Sequence, residues 1–242
     1  MRILDDIIST IDTDTEVEDI RQGLFYTGVL TRRGCGLAAT LPRDALKQGH
    51  SLVDEPGALL DRGPLELARM AYSASLLEAA IGMATINSLV EVDEENCREL
   101  NAGGLIAEKG AGKATVVIGH FPFVSRLREV INDLKVIEKN PVGEDYPEIA
   151  AGKLVPEADV VAITGTAFTN HTIEKLLGLC NPRAYVIVLG GTAPMSAVLF
   201  DYGVDAISGT MVTEPEMALR CISQGANYRQ IRGIRQLTMN RG

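Results

Sequence analysis

No apolar run in this 242-residue chain approaches the ~20 residues that a membrane-spanning helix needs, so a span is not expected. There is no C-x-x-C pair. Cys35, Cys97, Cys180 and Cys221 lie far apart, which argues against a structural zinc site and for reduced thiols. Nor is there a basic stripe with aromatic residues between its charges. The net charge is -9, and a phosphate backbone repels such a surface, so nucleic acid is not an expected partner. The most basic stretch, Arg229, Arg232 and Arg235, reads as a solvated strand or tail. The opening "MRILDDIISTIDTD" carries aspartates where a signal peptide has a positive end and an apolar stretch, and a cytoplasmic location is expected.

What remains is 46% apolar and 23% charged, the balance of a globular protein long enough for one large or two small domains. Two textures divide it. From about residue 110, short Val- and Ile-rich runs alternate with helical patterns: "ATVVIG" (114–119), "LKVIE" (134–138), "ADVVAIT" (158–164), "AYVIVLG" (184–190) and "VDAIS" (204–208). Such runs suit strands buried on both faces, as in a parallel, doubly wound, Rossmann-like sheet. Between them, Pro122 fits the first turn of a helix, and Thr169 or Asn170 fits the cap of the next. "APMSAVLFDYG" has a proline near its start and a glycine at its end. Thr213 and Glu216 form a capping box ahead of a helix that Gly225 stops.

The lead stretch reads as a small α+β unit. Helical spacing in "MRILDDIISTI" is followed by two strands in "DIRQGLFYTGVLTRRGCGLAATL", joined at Thr31 to Gly34. A Gly- and Pro-rich loop leads to "GPLELARMAYSASLLEAAIGMATINSLV", two helices with a break near Tyr72 and a second capping box at Ser75 and Glu78. A hinge is expected near "EKGAGKA" (108–114), dividing the chain into residues 1–104 and 105–242. That stretch precedes a strand and lacks the phosphate-loop pattern.

Ligands of open parallel sheets sit beyond the carboxyl ends of the strands. The residues expected there are Gly119, His120, Phe121 and Pro122; then Glu138 and Asn140; then Thr164, Gly165, Thr166 and Asn170; and finally Gly190, Gly191, Thr192 and Pro194. Glu138 follows Gly119 by 19 residues, the place of an acid that accepts from ribose hydroxyls in nucleotide-binding sheets. The G-x-G-x-x-G fingerprint is absent, which disfavours a nicotinamide dinucleotide and leaves S-adenosylmethionine or a pterin-sized ring open. The competing reading is that Glu138 pairs with a local lysine or caps a backbone. His120 has no matched metal ligands in the sequence and suits proton transfer near neutral pH. Of Phe121 and Phe123, one is expected in the core. His171 is expected exposed at a helix start, and His50 lies in a loop without a role.

"VVIGHFPF", "EKNP", "AITGTAFTNHTIEKLL", "VLGGTAPMSAVLFDYGVD" and "SGTMVTEPE", in that order, resemble a prokaryotic family described as "putative heavy-metal chelation". "GLFYTGVLTRRGCGLAATL" resembles its N-terminal part, so the likeness spans nearly the whole chain. It implies an N-terminal domain similar to the enolase N-terminal fold before the Rossmann-like domain, with a site between the two. It also implies condensation or hydrolysis of a pterin-, flavin- or siderophore-like molecule, or handling of a metal chelator. On that basis Tyr26, Cys35 and Asn87 of the lead domain become candidate ligand contacts beside catalytic His120 and Glu138. The alternatives are a non-enzymatic binder of a metal chelate and an S-adenosylmethionine-dependent methyltransferase. No metal-ligand set and no particular cofactor is assigned, and a homo-oligomer stays open.

Overall fold

The computed structural model describes residues 1–41, 44, 46 and 52–242; His50 lies outside them. The fold is mixed α/β. Strands β1 (Val17–Gln22), β2 (Tyr26–Thr31) and β3 (Gly34–Ala39) form an antiparallel sheet behind helix α1 (Arg2–Thr10). Two strands were expected where three stand. The missed one, β1, is a polar edge strand, exposed at Glu18 and Gln22 and fully buried nowhere, so no apolar alternation announces it. The β2–β3 hairpin turns at Arg32–Arg33, with Thr31 opposite Gly34.

Helices α2 (Pro64–Arg69) and α3 (Leu76–Leu89) follow, separated by a 3-10 turn at Met70–Tyr72, which is the break read near Tyr72. Ser75 caps α3 by accepting from the Glu78 N–H at 3.5 Å. The Glu78 carboxylate does not return to the Ser75 N–H; it accepts from Ser73 Oγ and from the Asp54 N–H. Ten of the fourteen residues of α3 are buried, and a helix apolar all round belongs in an interior. Close approach there depends on glycine. A Cβ on Gly82 would lie 1.9 Å from the Ala71 nitrogen, and one on Gly36 would lie 2.1 Å from the Ala84 carbonyl oxygen.

The second sheet has eight strands. Its first is β4 (Cys97–Arg98). After α4 (Ala102–Gly110) come β5 (Thr115–Ile118), α5 (Val124–Val130), β6 (Leu134–Glu138), β7 (Tyr146–Pro147), α6 (Ala151–Leu154), β8 (Val160–Thr164), α7 (Thr166–Thr169), α8 (Ile173–Leu179), β9 (Tyr185–Leu189), α9 (Val198–Asp201), β10 (Ala206–Val212), α10 (Pro215–Ser223) and β11 (Ile234–Asn240). The order across the sheet is β4-β11-β10-β9-β8-β5-β6-β7, parallel from β10 to β7 and antiparallel at β4 and β11. All five Val/Ile runs became strands. Their alternate residues fill two separate cores: Val116, Ile118, Val161 and Ile163 face one, and Val117, Val160, Ala162 and Ile187 the other. Two-sided burial is why these runs are uniformly apolar. The first core continues without a break into the lead segment through Ile3, Val29, Met83 and Ile86.

Some helix expectations shift. α5 begins two residues beyond Pro122, and α9 is a single turn. Thr213 does not cap α10: the N–H groups of Thr213 and Glu214 both donate to the Gly233 carbonyl, so the cap falls at Glu214, ahead of Pro215. Gly225, at φ +80°, follows the end of α10. The arginine-rich C-terminal stretch is strand β11 at Arg235, which pairs with Glu94 and Glu99 at 2.7 Å each. No helix among the described residues is long and apolar enough to cross a membrane.

Candidate functional site

The chain leaves β5 toward β6 on one side and crosses to β8 on the other. That reversal opens a crevice at the carboxyl ends. A cavity of about 270 Å3 lies there, lined by Gly119, His120 and Phe121 after β5, Glu138 and Lys139 at β6, Thr164 and Thr166 at β8, and Asn170 and Thr172 before α8. Ile118, Ile137, Ala151 and Leu176 give it an apolar floor, while Leu41 and Asp44 reach it from the lead segment. The volume sits just below the ~300–1,000 Å3 of drug-sized ligand sites, which suits a small compact molecule.

His120 is placed with care. Gly119, at φ +101°, turns the chain out of β5, and a Cβ there would stand 3.0 Å from the Thr164 Cβ. The imidazole Nδ1 lies 2.7 Å from Asp145 Oδ2; the histidine side chain is 48% exposed and that of Asp145 fully buried. A buried carboxylate needs partners, and Arg128 supplies one, its Nη2 lying 3.1 Å from Asp145 Oδ1 while Nη1 reaches Glu144 at 3.2 Å. The Val142 N–H also donates to Asp145, at 3.3 Å. With Nδ1 engaged, Nε2 is the ring atom left for a ligand among the described residues. Glu138 caps main chain: Oε2 accepts from the His120 N–H at 2.9 Å and Oε1 from the Lys139 N–H at 2.8 Å.

The other strand-end residues divide. Asn170 Oδ1 accepts from the Thr172 N–H and hydroxyl, so its amide nitrogen is an unused donor among the described residues. Phe121 stacks on Phe123, with centroids 5.1 Å apart and planes 5° apart; Phe121 lines the cavity, and Phe123 packs on Gly103 of α4. Pro122 and Asn140 are outside the lining. Gly165 packs its backbone against Ala193, where a Cβ would lie 2.3 Å from the Ala193 nitrogen. Gly190, Gly191, Thr192 and Pro194 are also away from the cavity. Gly191 supports the rings of Tyr26 and Tyr228, 5.6 Å apart, and burial pushes the Tyr26 phenol well above its ordinary range. Thr192 joins the two segments, accepting from the Ala39 N–H at 2.8 Å through Oγ1 and from Asn87 Nδ2 at 3.2 Å through its carbonyl.

Cys35 and Asn87, expected to share a site with His120, line a different cleft of about 570 Å3 with Thr210 and Met211. The helix end at Asn87 packs on β3, where Nδ2 donates to the Leu37 carbonyl at 2.8 Å, and it lines this cleft beside the end of β10. Burial, with Asp19 adding, lifts the Cys35 thiol from its ordinary 9.0 to about 12. The folded chain thus holds this proton more tightly than the unfolded one. The stability of the neutral thiol is complete below pH ~9 and is lost as pH rises toward 12. Cys35 should therefore resist iodoacetamide at pH 8 in the native protein and react once the chain is unfolded; native alkylation at the rate of an exposed thiol would contradict the burial.

His171 sits at φ +60° with Nε2 2.8 Å from the Ala71 carbonyl oxygen, exposed as expected but tied to the lead segment. No group of three or more His, Cys, Asp or Glu among the described residues could hold a metal ion. Asp145 and Arg128 escaped the sequence reading because they come from a loop and a helix with no fixed spacing to His120. The acid pair Glu144–Asp145 in a short loop was the only signal.

Comparison with known proteins agrees with this architecture. A solved structure of a DUF364 protein of unknown function from Desulfitobacterium hafniense DCB-2 matches with a TM-score of 0.84 at 27% identity, over 99% of this chain and 97% of that one. A second DUF364 structure, from Pyrococcus horikoshii, matches with a TM-score of 0.84 at 22% identity, over 99% and 98%. An uncharacterized protein of Methanocaldococcus jannaschii is 26% identical over 226 residues, 88% of this chain and 85% of the relative. Two family models, both described as "putative heavy-metal chelation", match residues 4–90 and 102–240. With the second covering more than half of the chain, including strands β5 to β11 of the larger sheet, the chain belongs to the DUF364 "putative heavy-metal chelation" family.

Proposed function

We propose that the strand-end cavity binds a compact chelator-type molecule, of the pterin, flavin or siderophore kind, and that His120 moves a proton on it during condensation or hydrolysis. The observation that carries this reading is the 2.7 Å contact between His120 Nδ1 and buried Asp145 beside a cavity that His120 lines. An imidazole whose Nδ1–H is held by a carboxylate presents Nε2 as a base, and the carboxylate stabilises the imidazolium that forms. In the step, Nε2 takes the proton from the attacking N–H, O–H or water, the freed electron pair forms the new bond to the electrophilic carbon of the ligand, and the bond to the leaving group breaks as the same proton passes to it. Phe121 offers a flat face, and Thr164, Thr166 and Asn170 offer hydrogen bonds for orientation.

A second reading is a binder of a metal already held by a chelator. A histidine tied to a carboxylate through one nitrogen is also the arrangement of a metal-ligating imidazole. With no metal-holding group of three among the described residues, the chelator would supply the remaining donors.

A thermal-shift panel separates these readings. Pterin, flavin and 2,3-dihydroxybenzoate are each added with and without iron(III), with product analysis by mass spectrometry. A ligand at 100 times its Kd stabilises the fold by about 2.7 kcal/mol. A shift with the free compound and a changed mass supports the enzyme; a shift only with the iron complex supports the binder. No shift with any of them at millimolar concentration contradicts both.

A further inference from the structure

We infer that Glu138 is a positioning residue for His120, and that with Asp145 it locks the imidazole in one pose. The inference rests on the reading of His120 as the proton-transfer group. Nineteen residues after Gly119, Glu138 has the spacing of a ribose-binding acid, yet both its oxygens are turned to main chain. Oε2 accepts from the His120 N–H at 2.9 Å and Oε1 from the Lys139 N–H at 2.8 Å.

Charge-assisted bonds of this kind are about twice as strong as neutral ones. They act where the chain most needs them. Gly119 at φ +101° has just ended β5, and the five-residue link to α5 would otherwise leave His120 free to swing. Glu138 fixes the backbone at the end of β6, and Asp145, seven residues later, fixes the ring through Nδ1. Arg128 of α5 holds Asp145 in turn. Backbone and ring of the histidine are thus pinned by two acids of one segment, and among the described residues nothing engages Nε2. A catalytic group held so tightly needs no reorganisation when the ligand arrives.

The test uses the full chain without ligand, so it does not depend on what His120 acts upon. Long-range proton–nitrogen spectra of 15N-labelled protein report the His120 ring tautomer, and hydrogen exchange reports its amide. The expected wild-type ring carries its proton on Nδ1 when neutral. Asp145→Asn should raise the Nε2-protonated fraction several-fold. Glu138→Gln should speed exchange of the His120 amide at least tenfold and mix the ring tautomers, while the Val117 amide in β5 keeps wild-type protection. If Glu138→Gln does not fold, Glu138→Ala in the presence of 0.2 M acetate is read in the same way, with acetate expected to slow the His120 exchange again. A His120 amide and ring indistinguishable from wild type in the folded Glu138 variant would overturn the inference. That result would leave the proton-transfer reading standing, since only turnover with a ligand addresses it.

Discussion

If His120 is the proposed proton-transfer group, a His120→Gln protein should fold as the wild type does and lose turnover of a chelator-type substrate by about 10²–10⁴-fold, the usual contribution of one general acid–base group. The imidazole is half exposed, so its loss removes little packing, and the cost to stability rests on whether buried Asp145 keeps a partner. Glutamine can still donate toward Asp145 through its amide, which keeps the buried carboxylate partnered, but it cannot take a proton. Melting curves and steady-state kinetics on the same preparation check this. Loss of stability with unchanged turnover would mean that His120 is a structural group.

Gly82→Ala should have the opposite signature, destabilising the chain by about 4 kcal/mol or more without touching the cavity. The new Cβ would lie 1.9 Å from the Ala71 nitrogen and 2.6 Å from its Cα and from the Met70 carbonyl carbon. All three are backbone atoms, so no rotamer change relieves the clash, and α3 would have to leave the 3-10 turn on which it packs. Such a cost belongs to the exceptional tail of single substitutions. For a chain of this size it lowers the melting temperature by roughly 8–16 °C. Gly104→Ala is the control. It sits exposed in α4 with nothing within 4 Å of a new Cβ, so the better helix former should raise stability by about 0.5–1 kcal/mol. A mild effect at Gly82, comparable to that at Gly104, would mean that α3 does not pack this closely.

The parallel sheet was legible because its strands are buried on both faces, and sequence can express that only as unbroken apolar runs such as "VVI" and "VVAI". Ser75 was legible as a cap because it stands between a helix break and a long apolar helix. Thr213 misled for a tertiary reason: its N–H and that of Glu214 are drawn to the Gly233 carbonyl, so the loop before β11, rather than local capping chemistry, sets where α10 starts. β1 was missed because an edge strand with Glu18, Asp19 and Arg21 carries no alternation. The strand-end cavity followed the same logic. His120, Glu138, Thr164 and Asn170 were visible because strand ends are where open sheets hold ligands. Asp145 and Arg128 were not, because their place depends on how a loop folds back. Cys35 and Asn87 were joined to the same site by resemblance, and only the path of α3 over β3 shows that they line another cleft.

We propose that the cavity beside His120 is where this chain meets its ligand. Amide chemical-shift mapping tests it most directly, using whichever compound stabilises the protein in the thermal panel. The largest shifts are expected at Gly119, His120, Thr164 and Asn170 and altered in His120→Gln, with Gly34, Cys35 and Asn87 unmoved. Shifts concentrated at Cys35, Asn87 and Thr210, and unchanged by His120→Gln, would contradict it.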